Sequence, residues 1–231
     1  MDWKLFWDNK AKDTDILNKQ VGRVSGSNDA LENDVLQKIE EHINQYLKIK
    51  NNEVLLDVCC GNGLIINLLK NNCSQIIGID MAPTMIKNAN KELSSGNTTF
   101  IEGDAAKISE LVNTEIDKAY LYFSFQYFDS YEKGKKVIQE ILKVLRPGGL
   151  IFIGDIPDRK KLWTFYDTLS KKVKYCIDEL RNKNSMGKFW KKEELDRICV
   201  ECNVKGTYYN QTQELPYSYY RFDYLIEKPN G

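Results

Sequence analysis

The stretch that decides the fold runs Glu53-Val54-Leu55-Leu56-Asp57-Val58-Cys59-Cys60-Gly61-Asn62-Gly63. Its apolar half has the length of a buried strand, and the glycines that follow permit a tight turn. The next six residues, 64–69, have the apolar spacing of a helix. The helix start would therefore present unpaired N–H groups beside a turn that a ligand can approach closely.

The same strand and helix alternation continues along the chain. Apolar runs at 76–80, 99–102, 118–123 and 150–153 predict further strands, and 85–93 predicts a helix. A second helix carries Val137, Ile138, Ile141, Leu142 and Leu145 on one face and ends at Arg146-Pro147-Gly148-Gly149. Two later runs, 207–210 and 219–227, also have strand character. Continuous apolar strands between helices predict a mostly parallel sheet that is covered on both faces.

Composition and charge restrict the classes of partner. The 231 residues are 42% hydrophobic and 29% charged, with 33 Lys plus Arg against 33 Asp plus Glu. A balanced charge offers no general attraction for nucleic acid, and the apolar runs are too short to cross a bilayer. The start, Met1-Asp2-Trp3-Lys4, lacks the apolar stretch of a secretory signal. We therefore expect a cytoplasmic protein without a nucleic-acid or membrane partner.

The cysteines and the single histidine show no metal or disulfide pattern. Cys199 and Cys202 form a C-x-x-C without a second ligand pair at a suitable spacing, so we expect no metal site. Without a secretory signal, a disulfide framework is not expected, and the six cysteines are interpreted as small buried hydrophobes. His42 lies in a helical run beside Glu40 and Glu41, which predicts a solvent-facing side chain.

Polar groups follow three successive predicted strands. The glycine-rich turn follows the first strand, Asp80 ends the second, and Asp104 comes after the third. In open α/β sheets ligands bind at the carboxyl ends of the strands. A carboxylate at Asp80 suits the two ribose hydroxyls of a nucleoside, and one at Asp104 suits an adenine amino group. The sequence thus predicts one nucleoside site at this edge of the sheet.

Five segments in this order resemble the motifs of the class I S-adenosylmethionine (SAM)-dependent methyltransferases, of the type that acts on small molecules. They are residues 53–63, 78–85, 103–105, 122–128 and 142–149. The resemblance implies an α/β fold with three layers: a seven-stranded, mostly parallel sheet with a C-terminal antiparallel hairpin. It also implies SAM as cofactor and S-adenosylhomocysteine as product.

The resemblance assigns roles to individual residues. Met81 would pack on adenine, and the segment Gln20-Val21-Gly22-Arg23 resembles an N-terminal element of some small-molecule members. The expected cofactor-binding residues are Arg23, Asp57, Cys59, Gly61, Asn62, Gly63, Asp80, Met81, Gly103, Asp104, Ala105 and Phe123. The expected catalytic residues are Tyr127 and Asp155, which follow strands four and five; the expected substrate contacts are Gln126, Arg159, Tyr219 and Arg221.

The expected domain organisation follows from the same alignment of motifs. We predict a single methyltransferase domain over 1–231. It would comprise an N-terminal helical cap (1–50), a SAM-binding core (51–156), a lid insertion (157–190) and a C-terminal helix with strands (191–231). The cap would contain one amphipathic helix, with Leu31, Val35, Ile39, Ile43 and Leu47 spaced by four.

Departures from known sequence motifs narrow the range of expected functions. Cys59 stands where the family more often has glycine, which suggests a backbone that tolerates a Cβ. The N-P-P-Y signature of amino-group DNA methyltransferases is absent after the fourth strand. Ile66 occupies the last glycine position of the dinucleotide fingerprint, which disfavours an NAD or FAD oxidoreductase.

The prediction is methyl transfer from SAM to an oxygen or nitrogen of a small metabolite, a sugar or a small acid, by a monomer or homodimer. The alternatives are a non-catalytic binding protein of the same fold and a methyltransferase that acts on a protein.

Overall fold

A computed structural model describes residues 1–22 and 33–230. Seven strands form one sheet in the order β3-β2-β1-β4-β5-β7-β6. Their bounds are β1 Val54–Val58, β2 Gln75–Asp80, β3 Thr98–Glu102, β4 Ile116–Tyr122, β5 Leu145–Pro157, β6 Lys205–Asn210 and β7 Arg221–Glu227.

The pairing confirms the predicted sheet. Strands β1 to β5 pair in parallel, whereas β7 pairs antiparallel with both β5 and β6. The strand order reverses between β1 and β4, where Asp57 lies opposite Tyr120. Such a reversal leaves a crevice beyond the carboxyl ends of the two strands, and this is where α/β sheets bind ligands.

Ten α-helices are described. Their bounds are α1 Trp3–Lys12, α2 Leu17–Gln20, α3 Asn33–Leu47, α4 Leu64–Leu69, α5 Pro83–Leu93, α6 Ile108–Leu111, α7 Tyr131–Val144, α8 Leu162–Phe165, α9 Leu169–Leu180 and α10 Lys192–Glu201. Local sequence explains several starts. Asp2, Ser130 and Thr168 cap α1, α7 and α9 by accepting hydrogen bonds from backbone N–H groups, and Pro83 stands in the first turn of α5.

Apolar clusters cover both faces of the sheet. One cluster joins the sheet to α6, α7 and α10 and includes Ile138, Ile141 and Ile198. The other joins the sheet to α3, α4 and α5 and includes Ile43 and Ile66. Every residue of β4 is buried, which explains why the central strands have continuous rather than alternating apolar sequences.

Helix α3 corrects the expectation for His42. The predicted amphipathic helix is present, and Ile39, Ile43 and Leu47 of its apolar stripe pack on the sheet, while Leu31 falls outside the described residues. His42, however, is buried rather than solvent-facing. The His42 Nε2 lies 2.7 Å from Asp223 Oδ2 on β7. The prediction was wrong because the two glutamates beside His42 are neighbours along the chain, whereas its helix face is set by Ile39 and Ile43.

The cysteine expectation is confirmed in part. Cys60, Cys73 and Cys199 are buried, and Cys59 and Cys202 are half-buried, but Cys176 on α9 is exposed. Within the described residues, the cysteines are free thiols, and no helix has both the length and the apolar character needed to span a bilayer.

Candidate cofactor and acceptor site

Three strand ends at the crevice adopt a backbone conformation that side chains rarely accept. Cys59 after β1, Phe123 after β4 and Asp155 near the end of β5 have φ values of 63°, 61° and 65°. A left-handed backbone is costly for residues other than glycine, and such strain is concentrated at functional sites. Cys59 is therefore tolerated in place of glycine, as expected, but in a left-handed conformation.

A cavity of about 590 Å³ opens beyond these strand ends. This volume lies in the range of ligand pockets. Its walls come from the carboxyl ends of β1, β2 and β4, from α1 and from the first turns of α7. None of the described residues that line it comes from the predicted lid segment 157–190. The N-terminal segment supplies the cover instead, through Met1, Asp2, Trp3, Lys4, Trp7 and Val21.

One end of the cavity carries three carboxylates. Asp57, Asp80 and Asp104 all line it. Asp80 accepts hydrogen bonds at 2.9 Å from the backbone N–H groups of Gly61 and Ala82. Burial raises the pKa of Asp80, against the opposing effect of these amides. Amide donors fix the orientation of the carboxylate and leave it further lone pairs for a ligand.

The glycine-rich turn needs its glycines for geometric reasons. Gly61 and Gly63 have positive φ, and a Cβ on Gly61 would lie only 2.8 Å from Val21 Cγ1. The N-terminal segment therefore closes directly over the bare backbone of the turn. Between these glycines, Asn62 donates hydrogen bonds to the Leu17 carbonyl at 2.9 Å and to Gln20 Oε1 at 2.8 Å. Asn62 thus fastens the N-terminal segment onto the turn.

The other end of the cavity is aromatic. The ring of Tyr127 lies between Trp3 and Trp7, with centroid separations of 4.5 Å and 5.3 Å. Phe123 and Phe128 line the same region. Aromatic pairs at such distances pack favourably and form a fixed surface. This wall joins the start of the chain to the segment after β4.

Charged groups accompany the aromatic wall. Lys4, Lys133 and Lys136 line the cavity, as does Glu132. Lys133 and Lys136 form ion pairs with Asp129 and Glu140 on the flanks of α7. Lys4 instead lies 3.4 Å from Glu102 at the end of β3. The cavity is thus acidic at its strand end and bears the ammonium groups of Lys133 and Lys136 near its aromatic end.

The thiol of Cys59 lines the cavity but is a poor nucleophile. Its pKa is raised well above the ordinary value by burial and by the charges of Asp80, Asp57 and Asp104. A neutral thiol is weakly nucleophilic. Among the described residues, no group of three His, Cys, Asp or Glu side chains could hold a metal ion.

The predicted site residues divide into two sets. Those that line the cavity are Asp57, Cys59, Gly61, Asp80, Met81, Asp104, Phe123 and Tyr127. Those that lie outside its walls are Asn62, Gly63, Gly103, Ala105, Gln126, Asp155, Arg159, Tyr219 and Arg221. Arg23 falls outside the described residues.

Asp155 belongs to a buried polar network behind the cavity. Arg221 donates to the Asp155 carbonyl, and Gln211 Nε2 lies 3.3 Å from both Asp155 Oδ1 and Asp223 Oδ1. The Arg221 guanidinium also stacks on Phe123, 4.6 Å from the ring centroid. Asp155 and Arg221 are therefore positioned to support Phe123 from behind.

The remaining predicted substrate contacts lie further from the cavity. Gln126 is buried and donates to the Phe123 carbonyl at 3.0 Å. Arg159 is exposed and donates to the Tyr175 hydroxyl at 3.2 Å, and Tyr219 is also exposed. None of these three side chains is among the walls of the cavity.

Sequence reasoning missed the residues that α1 contributes. Phe6 and Trp7 follow Trp3 by three and four residues, and this spacing indicates an aromatic helix face. The spacing was the available signal, although it does not say where such a face would dock. Met85 and Ser124, which also line the cavity, gave no signal beyond their position next to motifs.

The arrangement fits a nucleoside cofactor. Carboxylates from the ends of β1 and β2 and from the loop after β3 line one cavity, and the turn beside them presents bare backbone at Gly61. Asp80 and Asp104 would hold the ribose and the adenine of SAM, and the turn would face its methionine part. The cofactor would supply an electrophilic methyl group on a sulfonium.

The comparisons agree with this geometry. A family model described as a methyltransferase domain matches residues 56–153. The demethylmenaquinone methyltransferase of Leptospira interrogans is 28% identical over 137 residues, which cover 57% of this chain and 51% of that protein. The juvenile hormone acid O-methyltransferase of Bombyx mori is 27% identical over 157 residues, which cover 64% and 54%. The chain thus spans about half the length of these relatives.

A solved structure supports the same fold. The plantazolicin methyltransferase, crystallised with a desmethyl analogue and S-adenosylhomocysteine, superposes with a TM-score of 0.62 at 18% identity. The superposition covers 84% of each chain. Fold, motif order and matched domain lead to one conclusion: residues 56–153 form a methyltransferase domain within the fold of the class I SAM-dependent methyltransferases, whose cofactor is S-adenosylmethionine.

Proposed function

We propose that the protein transfers a methyl group from SAM to an oxygen or nitrogen of a small, largely apolar acceptor, with a small carboxylic acid as the favoured class. The observation that carries this proposal is the division of one cavity into a carboxylate end and an aromatic end. The first end suits the nucleoside, and the second is the space left for an acceptor.

The aromatic wall favours an apolar acceptor over a sugar. A sugar brings several hydroxyls that each need a partner, and burying them against Trp3 and Trp7 would leave them unpaired at a cost of about 1–3 kcal/mol each. An apolar body loses water contacts there with a gain instead. The relatives named for demethylmenaquinone and juvenile hormone acid support this acceptor class.

The ammonium groups near the aromatic wall favour an acidic acceptor. Lys133 and Lys136 line the cavity next to the segment that carries Tyr127 and Phe128, whereas the three aspartates line the other end. An anionic acceptor would be attracted to the first region and repelled from the second. This polarity would draw the carboxylate of the acceptor into the cavity, where the sulfonium methyl group is to be transferred.

For this reaction the protein mainly has to position the acceptor against the methyl donor. A carboxylate is already ionised at neutral pH, so its methylation needs no general base. Holding the two reactants in line can remove roughly 7–11 kcal/mol of the barrier. Tyr127 is the proposed acceptor contact, because it lies in the wall between Trp3 and Trp7. Asp155 and Arg221 are proposed to support Phe123 rather than to touch the acceptor.

The test is methyl transfer from labelled SAM to a matched panel of acceptors. An apolar carboxylic acid, the amine and the alcohol of the same skeleton, and a sugar would be compared, with the methyl ester of the acid as blank. We expect labelled ester from the acid at the highest kcat/KM. Labelling of the sugar but not the acid would overturn the acceptor class. SAM binding without transfer to any of the four would favour a non-catalytic protein.

A pair of tryptophan variants tests the wall itself. Trp3→Ala removes a ring that contacts Tyr127, whereas Trp163→Ala removes a half-exposed tryptophan that is not part of the cavity. We expect Trp3→Ala to raise the KM for the acceptor about tenfold, in line with a lost aromatic contact of roughly 1.4 kcal/mol. Its S-adenosylhomocysteine affinity should match that of Trp163→Ala. Equal KM values in both variants would place the acceptor elsewhere.

A further inference from the structure

Strand β5 contains a bulge near the end that reaches the cavity. Its register against β7 shifts between Ile153 and Ile156, so two residues, Gly154 and Asp155, lie opposite the single residue Asp223. A bulge bends the strand, and the extra residue loses its place in the ladder of hydrogen bonds. Its backbone N–H then needs another acceptor, because a buried N–H without one is costly.

The carboxylate of Asp223 supplies that acceptor. Asp155 donates its backbone N–H to Asp223 Oδ1 at 2.8 Å, and Gln211 Nε2 lies 3.3 Å from the same oxygen. Asp223 is fully buried, and Asp155 has a φ of 65°. A left-handed backbone persists only where the surrounding contacts enforce it. The carboxylate therefore holds the bulge in this conformation.

The second oxygen of this carboxylate is held by His42 on α3. His42 Nε2 lies 2.7 Å from Asp223 Oδ2, and the two side chains are 3% and 0% exposed. An ionised carboxylate only accepts hydrogen bonds, so Nε2 carries the proton and is the donor. With a donor on each oxygen, the carboxylate cannot rotate without breaking a buried hydrogen bond. His42 thus fixes the orientation in which Asp223 reaches the bulge.

The bulge is connected to a wall of the cavity in two ways. The carbonyl of Asp155 accepts a hydrogen bond from Arg221, whose guanidinium carbon lies 4.6 Å from the centroid of the Phe123 ring. The carbonyl of Gly154 accepts the backbone N–H of Phe123 at 3.1 Å. Phe123 lines the cavity and itself has a φ of 61°. The position of this ring therefore depends on the conformation of the bulge behind it.

From these contacts we propose that His42 is a positioning residue for the methyl transfer. Through Asp223 it fixes the bulge of β5 and, with it, the place of Phe123 in the wall of the cavity. His42 itself lies outside the walls of the cavity, so it acts through Asp223 rather than by touching the cofactor or the acceptor. The kinetic consequence rests on the proposed function, whereas the chain of hydrogen bonds from α3 to Phe123 belongs to the fold alone.

The test compares two amides at position 42 in the full chain. His42→Gln places its amide nitrogen at about the reach of the imidazole Nε2 and can still donate to Asp223, whereas the side chain of His42→Asn is one methylene too short. Both variants bury a polar amide, so they share the general cost of replacing the ring. Leu47→Ala removes a fully buried side chain of the same helix that makes no hydrogen bond, and it is the control for destabilisation alone.

Hydrogen exchange of the ligand-free protein reports on this chain of contacts without requiring activity. Peptides that cover 122–127 and 153–157 would be compared with peptides from strand β1, which serve as the reference for global unfolding. Relative to β1, we expect both segments to exchange about tenfold faster in His42→Asn, but within about threefold of the wild type in His42→Gln and Leu47→Ala. Equal exchange in the two amide variants would overturn the proposal.

Steady-state kinetics then test the consequence for the reaction. We expect His42→Asn to raise the acceptor KM about tenfold, because a displaced wall misplaces the acceptor, with S-adenosylhomocysteine affinity unchanged within about twofold. His42→Gln should recover most of this loss, and Leu47→Ala should lower the unfolding temperature but keep the acceptor KM. An acceptor KM in His42→Asn equal to that of the wild type would overturn the proposal.

The two measurements keep this proposal separate from the proposed function. If the wild type methylates no acceptor, the proposed function fails, and hydrogen exchange alone decides whether His42 positions the segment of Phe123. If His42→Asn does not fold, His42→Phe replaces it, because a phenyl ring keeps the ring contacts with Tyr46 and Phe152 and lacks the N–H donor.

Discussion

The two ends of the sheet use acidic residues in opposite ways. At the amino ends of β1 and β4, Glu53 lies 2.5 Å from Lys118, and Asp117 pairs with Arg146. At the carboxyl ends, Asp80 is held by the backbone N–H groups of Gly61 and Ala82. A carboxylate paired with a cation is already neutralised, whereas one held by amides retains charge and lone pairs for a ligand. One end therefore stabilises the fold, and the other keeps a carboxylate that is not paired with a cation.

The largest expected effect is at the amino end. Lys118→Met leaves the Glu53 carboxylate buried without its ammonium partner, and both side chains are under a tenth exposed. Removing one member of a buried pair costs about 3–5 kcal/mol. We expect urea unfolding to show a loss of that size, with S-adenosylhomocysteine affinity unchanged within about twofold on a calorimeter, where a tenfold change would be about 1.4 kcal/mol.

The matched double variant Glu53→Leu/Lys118→Met serves as its control. It replaces both charges by apolar groups and should recover most of the lost stability. A loss below about 1 kcal/mol in the single variant would mean that the pair is not a structural anchor.

Asp80→Asn should give the next largest effect, at the other end. It would remove the expected charge-assisted hydrogen bond to the ribose, which is worth about 1.5–3 kcal/mol, or roughly tenfold to a hundredfold in affinity. Titration calorimetry with S-adenosylhomocysteine measures this loss. The exposed Glu115→Gln before β4 is the control at the amino end and should bind normally. Unchanged affinity in Asp80→Asn would mean that the nucleoside does not bind at Asp80.

The pH dependence of Asp80 sharpens the same contrast. Burial raises its pKa above the ordinary value of 3.8, so the folded protein holds this proton more tightly than the unfolded chain. Its contribution to stability is therefore present below pH 3.8 and is lost as pH rises through the folded pKa. Ligand-free Asp80→Asn should gain stability relative to the wild type as pH rises through this window. An opposite trend in pH-dependent unfolding would contradict a pKa raised by burial.

The smallest expected effect concerns the strained turn. Cys59 has a φ of 63°, so Cys59→Gly relieves strain but increases the freedom of the unfolded chain. We expect a net change within about 1 kcal/mol. Cys59→Val should instead cost about 1–3 kcal/mol, because a branched Cβ is poorly accommodated in this conformation. Thermal unfolding of the two variants distinguishes them, and equal destabilisation would argue that space rather than backbone strain limits this position.

Sequence patterns predicted the sheet well because its central strands are buried on both faces. An apolar run such as Ala119-Tyr120-Leu121-Tyr122 in β4 leaves one interpretation, and the glycine-rich turn marks where the first strand ends. The carboxylate end of the cavity was predictable for the same reason, since Asp80 is the last residue of β2 and Asp104 follows β3 by two residues.

Contacts between segments that are far apart along the chain were harder to predict from the sequence. The spacing of Trp3 and Trp7 indicates a helix face but not that it covers the strand ends, and the predicted lid at 157–190 supplies no cavity wall. His42 was placed on a solvated face because its partner, Asp223, lies 181 positions away along the chain. Such contacts depend on the register of β7 against β5, which no local pattern specifies.

The first and last described residues of the chain lie at opposite ends of the sheet. Met1 and Asp2 are walls of the cavity, whereas Lys228 exchanges backbone hydrogen bonds with Gly148 and Gly149 at the start of β5. Residues fused ahead of Met1 would emerge at the entrance to the cavity and compete with an acceptor for it. A purification tag, dye or surface linker therefore belongs after Asn230, where it leaves the entrance clear.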